Sequence, residues 1–120
     1  MLPRAFRADR KLLELVFSKE GRARYPSRRA AHRLLQLTVI KYPSHPKTAF
    51  IISSSVVKHA VDRNRIKRRA RAVVSKLRKA LPPEHLFLFQ FNKYATAASF
   101  LEIESAILHL LRPYLLPLTS

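Results

Sequence analysis

Residues 59–81 read HAVDRNRIKRRARAVVSKLRKAL, and they form the most informative segment of the chain. Its apolar side chains recur at intervals of three or four residues and so form one stripe on a helix. The stripe consists of Ile66, Ala70, Val73, Val74, Leu77 and Leu81. Pro82 and Pro83 follow at once and end the helix, because proline has no amide hydrogen to donate. The pattern predicts a helix over residues 59–81 that packs one face on a sheet.

Before this helix the sequence predicts one helix and two strands. Asp9 is a good N-cap for a helix over residues 9–20, and Gly21 is placed to end it. Residues 34–40 and 48–54 carry the branched apolar side chains typical of strands, and the short turn between them favours antiparallel pairing. Residues 22–33 are basic and contain Pro26, so we interpret them as an arm or loop that could add another strand.

After the long helix the sequence predicts a strand and a last helix. Residues 86–91 are apolar except for Gln90, and this nearly continuous apolar run indicates a buried strand. Ser99 and Glu102 have the spacing of a capping box, and Pro113 ends the helix that they open. The order α-β-β-α-β-α predicts an α+β sandwich, a small mixed sheet packed against helices, in a single domain over residues 1–120.

Positive charge dominates the first two thirds of the chain. The 24 basic and seven acidic side chains give a formal net charge of +17, and 22 of the basic ones lie in residues 1–80. Charge segregated in this way is typical of a protein that binds a phosphate backbone. Cysteine is absent, so disulfide scaffolds and cysteine nucleophiles are excluded. No apolar run reaches the roughly 18 residues of a membrane span, and we expect a cytoplasmic protein with no membrane contact.

The cations of the long helix surround its apolar stripe. Arg63, Lys67 and Arg71 step by four residues, which predicts an exposed ridge that follows consecutive phosphates. We therefore expect Arg63→Ala or Lys67→Ala to weaken RNA binding with little effect on stability. The full set of predicted RNA-binding residues is Arg63, Asn64, Arg65, Lys67, Arg68 and Arg71.

The same six residues fill the pattern R-N-R-x-K-R-x-x-R without a gap, and this helix resembles the signature helix of the protein subunit of bacterial ribonuclease P. Val16, Phe17 and Gly21 also look like that family's N-terminal helix. The chain departs from the family at Lys58, where glycine is usual, and two lysines usual just before it are missing. Leu13 stands at an aromatic position and Phe91 at an arginine position, so the chain looks like a divergent member.

The resemblance implies a function as well as a fold. The fold would be that of the ribonuclease P protein, which one domain of a small-subunit ribosomal protein shares. The protein would bind the catalytic ribonuclease P RNA and the 5′ leader of precursor tRNA, and so assist removal of the leader. The RNA would cut, with Mg²⁺ bound mainly by the RNA, so no catalytic residue, no tightly bound cofactor and no protein partner are expected in this chain. The leader cleft would be lined by Leu13, Phe17 and Leu37, with Phe89 or Phe91.

Two other readings compete with this one. The first is a non-catalytic RNA-binding protein of the ribosomal or RNA-chaperone type. Composition alone does not distinguish such a protein from a ribonuclease P protein. The second is a helix-based DNA binder, but a strand follows Pro82 and Pro83 where a helix-turn-helix pair would need a helix. The five histidines show no metal-ligand spacing, and with one glycine no glycine-rich phosphate loop is possible.

Overall fold

The N-terminal helix begins where the sequence predicts and ends earlier. In the computed structural model, which describes residues 7–43 and 46–116, helix α1 spans Arg10–Phe17. Oδ1 of Asp9 accepts a hydrogen bond from the Leu12 amide at 2.8 Å, which confirms the predicted N-cap. Helix α2, Lys19–Arg24, follows at once. Ser18 separates them: its hydroxyl donates to the Leu15 carbonyl at 2.7 Å and accepts from the Gly21 amide at 3.0 Å.

Gly21 lies inside α2, so the prediction that it ends the first helix is wrong. It is buried, and its φ is not positive. A Cβ atom at this position would collide with the carbonyl oxygen of Leu15 in the last turn of α1. Glycine is required here because the two helix backbones approach closely at the sharp turn at Ser18.

The basic segment after α2 is a strand. Strand β1, Ser27–Ala31, pairs antiparallel with β2, Leu35–Lys41, and all five of its residues are exposed. The arm or loop reading of residues 22–33 is therefore wrong, and the further strand left open for this segment is present. Both faces of β1 are uncovered because it is an edge strand that extends beyond the helices.

The sheet has the order β1-β2-β4-β3 among the described residues. Strand β3 spans Lys47–Ile51, and strand β4, His85–Phe91, lies between β2 and β3. β4 pairs antiparallel with β2 and parallel with β3, so β2 and β3 run in opposite directions but do not pair. The predicted direct pairing is wrong because β4 is buried on both faces and takes the central position. The sheet is mixed, as predicted.

The long helix and the last helix follow the sequence pattern closely. Helix α3 spans Ala60–Leu77 and continues as a short 3-10 turn, Arg78–Ala80. Its buried residues are Ile66, Ala70, Val73 and Val74, and Leu77 packs against the core, which confirms the stripe. Helix α4 spans Phe100–Leu111, and both hydrogen bonds of the Ser99–Glu102 capping box are present. A 3-10 turn, Arg112–Tyr114, follows.

The sheet lies between two layers of helices, with a core on each face. The larger core lies under α3 and α4 and takes the odd-numbered positions of the central strands, namely Leu35, Leu37, Val39, Phe87, Phe89 and Phe91. The smaller core lies under α1 and consists of Val16, Ile40, Ala49, Leu86 and Leu88. This α+β architecture confirms the predicted fold class. Across the two described ranges, no helix is both long enough and apolar enough to span a membrane.

Candidate nucleic-acid interface

The outer face of α3 carries cations that point away from the core. Asn64, Arg68 and Arg71 are exposed, and Lys67 is partly buried beside them. Within the part of the chain that the structure describes, none of these four side chains forms a hydrogen bond or an ion pair. We call these four residues the basic ridge. Lys67 and Arg68 both lie one turn from Arg71, so their charges repel one another until an anion neutralises them.

Arg63 has a different environment from the one predicted. Its Nη1 donates hydrogen bonds to the carbonyl oxygens of Val57 and Lys58, at 2.8 and 2.9 Å. The side chain is partly buried, and it fastens the loop that leads into α3. His59, the N-cap residue, makes no side-chain capping hydrogen bond, and Arg63 supplies side-chain bonds from the helix to this loop. The prediction that Arg63 belongs to a freely exposed ridge is therefore wrong, although Nη2 and Nε are not used in these bonds.

Arg65 and Arg69 hold α3 against the segment that follows β4. Nη2 of Arg65 lies 3.0 Å from Oδ1 of Asp62 and donates to the carbonyl of Thr96 at 3.1 Å. Nη1 of Arg69 donates to the carbonyl of Ala98 at 3.2 Å. The side chain of Arg65 is only 32% exposed. Two of the six predicted RNA-binding residues, Arg63 and Arg65, thus bind groups of the protein itself.

The positive surface continues past the basic ridge to the end of α3. A shallow depression of about 520 Å³ lies there, lined by Ala72, Ser75, Lys76, Arg78 and Lys79. Lys76 has a weak link to Glu104, with 3.9 Å between Nζ and Oε2. The cations therefore extend along nearly the whole length of the helix, which suits a partner with an extended array of phosphates.

The side chains predicted to line a cleft separate onto opposite faces of the sheet. Phe17 is 40% exposed at the end of α1, and Leu13 packs on the smaller core under that helix. Leu37 and Phe89 are both 0% exposed and lie in the larger core under α3 and α4, where Phe89 stacks on Phe50 with 5.3 Å between ring centroids. Their assignment to the cleft is wrong, because odd-numbered positions of β2 and β4 face away from α1. Phe91 is buried on the same side as Phe89.

Polar side chains occupy the part of the α1-side sheet face that α1 leaves open. Gln36 pairs with Gln90 across β2 and β4, and Ile51 of β3 pairs with Gln90 on its other side. A depression of about 290 Å³ at this end includes Gln36 and Gln90 in its lining. We call Gln36, Gln90 and Ile51 the open sheet face. The sequence held a signal for it, since Gln36 and Gln90 interrupt runs of apolar residues in β2 and β4.

Acidic groups near the last helix have structural partners. The Ser99 amide donates to the Glu102 carboxylate, and the Ser99 hydroxyl accepts from the Glu102 amide. Together with the nearby Arg33, Ser99 holds the pKa of Glu102 below its ordinary value. The Ser99 amide is the largest cause, and Arg33 Nη2 lies 3.2 Å from Oε2. In the described ranges no three His, Asp or Glu side chains form a group that could hold a metal ion. The Glu102 carboxylate is thus held by groups of the protein itself.

A family model described as Ribonuclease P matches residues 21–115, from α2 through α4. The chain belongs to the ribonuclease P protein family. Because this match includes the basic ridge and spans most of the chain, it confirms the resemblance seen in the α3 sequence. The protein is a component of the ribonucleoprotein endoribonuclease ribonuclease P. At the level of the family, its partners are the ribonuclease P RNA and precursor tRNA.

Solved structures of ribonuclease P proteins have a similar fold. One from Staphylococcus aureus is 16% identical, with 99% of each chain covered and a TM-score of 0.72. A second structure of the Staphylococcus aureus protein is 19% identical, covers 92% of this chain and 95% of its own, and has a TM-score of 0.70. The protein from Thermotoga maritima is 14% identical, covers 89% and 96%, and has a TM-score of 0.70. No curated protein sequence matches the chain.

Proposed function

We propose that the basic ridge of α3 binds the phosphate backbone of the ribonuclease P RNA subunit. The observation that carries this proposal is the set of free cations at Lys67, Arg68 and Arg71, which have no acidic partner in the described residues. Arginine forks suit paired phosphate oxygens, and Lys67 adds a point charge. Asn64 supplies a neutral donor and acceptor for a ribose or a base edge.

Arg63 and Arg65 contribute to this surface mainly by fixing the position of α3. They bind the carbonyls of Val57, Lys58 and Thr96 and so hold α3 in position between its flanking loops. Their remaining N–H groups can also donate to the RNA subunit. The two arginines thus preorganise the ridge as well as adding charge to it.

The 5′ leader of precursor tRNA binds on the α1 side of the sheet in this proposal. Phe17 offers an exposed aromatic ring, and Leu13 lies one turn before it on α1. Unpaired bases stack on such rings with little sequence preference, which suits leaders of varied sequence. The amide groups of Gln36 and Gln90 on the open sheet face add hydrogen bonds to bases or riboses.

Catalysis in this proposal belongs to the RNA subunit, with Mg²⁺ held mainly by RNA groups. The protein lowers the repulsion between two RNA chains, because its cations neutralise phosphates of both the RNA subunit and the precursor. This role requires no catalytic side chain and no tightly bound cofactor in the protein. The assembled enzyme works in the cytoplasm, where precursor tRNA is made and matured.

Reconstitution tests the proposal directly. Cleavage of precursor tRNA by a bacterial ribonuclease P RNA transcript is measured at several low magnesium concentrations, with and without the full chain. We expect cleavage to need less magnesium when the chain is present. The triple variant K67A/R68A/R71A should lose this effect. A control with the same net charge, K11A/K19A/K93A, removes exposed lysines outside the ridge and should retain it. Equal loss in both variants would show that only total charge matters and would overturn the ridge assignment.

A further inference from the structure

A second pocket lies on the other side of the sheet from the open sheet face. It has a volume of about 410 Å³, within the range of about 300–1,000 Å³ common for small-ligand sites. Its lining comes from β1 and the residue before it, from β2 and β4, and from the C-terminal 3-10 turn, namely Pro26, Ser27, Arg28, Val39, Lys41, His85 and Tyr114. We call it the end pocket. It shares no residue with the basic ridge or with the open sheet face.

The register of the sheet brings the basic groups of the end pocket together. Lys41 of β2 pairs directly with His85 of β4, and Arg28 of β1 pairs with Val39, two residues before Lys41. Arg28, Lys41 and His85 therefore project from one face of the sheet, and Lys41 and His85 are directly opposite neighbours. The hydrogen bond from the Lys41 amide to the Pro26 carbonyl, at 2.9 Å, ties the start of β1 to this corner.

Nothing in the lining neutralises these groups. No carboxylate lines the end pocket, and within the described residues neither Arg28 nor Lys41 forms an ion pair. A ring nitrogen of His85, Nδ1, lies 2.7 Å from the Pro83 carbonyl oxygen, which fixes the imidazole orientation. Two neighbouring cations without a counter-charge form an anion site, and the forked guanidinium of Arg28 suits the oxygens of a phosphate.

The opposite wall of the end pocket is aromatic. Tyr114 packs edge-on against the buried ring of Phe87, with 6.2 Å between centroids and 76° between ring planes. The Leu116 amide donates to the Ala80 carbonyl at 2.7 Å and so anchors the chain just after Tyr114. A phosphate site beside a held, partly exposed aromatic ring has the two parts that a nucleotide needs, one for its phosphate and one for its base.

We propose that the end pocket binds one nucleotide unit of RNA. Its phosphate binds Arg28 and Lys41, and its base lies against Tyr114. The proposal rests on the proposed function only in taking RNA as the ligand. It adds a contact on the face of the sheet opposite the one assigned to the leader, which is the face that α3 also packs against.

Titration of the isotope-labelled full chain with uridine 5′-monophosphate tests the end pocket without the other RNAs. We expect amide shifts confined to the pocket segments around Arg28, Lys41, His85 and Tyr114, and weaker binding of uridine or inorganic phosphate. R28Q/K41Q and Y114A should each lower the affinity about tenfold or more, whereas the control K11A/K93A should stay within about twofold. Amide dispersion shows whether each variant is folded, and Y114F serves as a conservative replacement if Y114A is not.

Several outcomes would overturn the site. Absence of nucleotide binding to the wild-type chain, equal affinity in R28Q/K41Q, or inorganic phosphate binding as tightly as the nucleotide would each reject it. A 4-thiouridine cross-link from the assembled RNA complex to the segment containing Tyr114 would identify polymeric RNA as the source, and nucleotide binding without any such cross-link would reject RNA. Failure of the wild-type chain to assist precursor cleavage would instead reject the proposed function, whatever the nucleotide titration shows.

Discussion

Arg63 donates a hydrogen bond of 2.8 Å to the carbonyl of Val57, six residues earlier, and so closes the loop before α3. A second bond of 2.9 Å from the same Nη1 atom reaches Lys58, the residue that stands where the family usually has glycine. The loop conformation thus depends on a side chain of the signature helix. Arg63, which the helix pattern predicts as an RNA-binding residue, therefore also stabilises the fold.

We therefore expect Arg63→Ala to destabilise the protein by about 1.5–3 kcal/mol, because it removes charge-assisted hydrogen bonds from two carbonyls. Arg68→Ala, which removes an exposed cation from the ridge, should change stability by less than about 0.5 kcal/mol. Urea unfolding of both variants measures the difference. Equal stability of the two would mean that the Arg63 bonds contribute nothing to the fold.

The ridge residues should determine the salt dependence of binding. Lys67→Ala should weaken binding to the RNA subunit and lower the slope of log K against log salt by about 0.7–0.9, the loss expected for one phosphate contact. Filter binding or fluorescence anisotropy over a range of potassium chloride concentrations gives the slope. Lys93→Ala is the control with the same charge change, and a slope reduced to the same extent in that variant would contradict a local contact at Lys67.

Alanine substitutions at Phe17 and Leu37 should affect different properties, RNA binding in the first case and stability in the second. Phe17→Ala removes an exposed ring and should weaken binding of precursor tRNA, relative to mature tRNA, by about 1–3 kcal/mol for one lost base stack. Leu37→Ala should leave this ratio unchanged and destabilise the protein by about 2–5 kcal/mol, because Leu37 is fully buried. Affinity measurements on precursor and mature tRNA, made for both variants, give this ratio. The same loss for both RNAs in the Phe17 variant would exclude a leader contact.

Gly21→Ala tests the close approach of α1 and α2. The added methyl group meets the Leu15 carbonyl, so the turn at Ser18 must open, at a cost of about 1–3 kcal/mol. Ala23→Gly, in the same short helix but exposed, should cost about 0.5–1 kcal/mol through chain entropy alone. Thermal unfolding followed by circular dichroism compares them. A neutral or stabilising Gly21→Ala would show that the helix pair tolerates a wider turn.

Glu102 should make stability depend on pH in the acid range. Its pKa is lowered in the folded protein, first by the Ser99 amide, so its charged form is stabilising. This contribution is fully present above the ordinary glutamate pKa and disappears as the pH falls through the lowered value. Glu102→Gln should therefore flatten the decline in unfolding free energy on acidification. Urea unfolding at several pH values tests this, and an unchanged pH dependence would contradict it.

Much of the fold could be predicted because it depends on local patterns. The stripe through Ile66, Ala70 and Val74 determines which side of α3 is buried, whatever it packs against. The Asp9 cap and the Ser99–Glu102 box form within one turn of chain, so their residues alone predict them. The apolar run Leu86–Phe89 of β4 likewise predicted a strand covered on both faces.

The site was predicted only in part. The helix pattern identified Lys67, Arg68 and Arg71 as exposed cations, since their angular distance from the stripe follows from the helical period. The same pattern gave no sign that Arg63 and Arg65 would find carbonyl partners, because Thr96 is 31 residues from Arg65 along the chain. The resemblance to the family implied that Leu37 and Phe89 line a cleft, whereas the side of the sheet on which they lie depends on strand register.

The sequence by itself thus determined the identity of the family, the helix that carries the charge and the burial of its apolar stripe, because these depend on neighbours within a few residues. Long-range packing instead placed β4 between β2 and β3, put Phe17 and Phe89 on opposite faces of the sheet, and brought Arg28, Lys41 and Tyr114 together at one corner. Such contacts join segments that are distant along the chain. Their geometry follows from sheet order and from side-chain alternation, neither of which a local pattern contains.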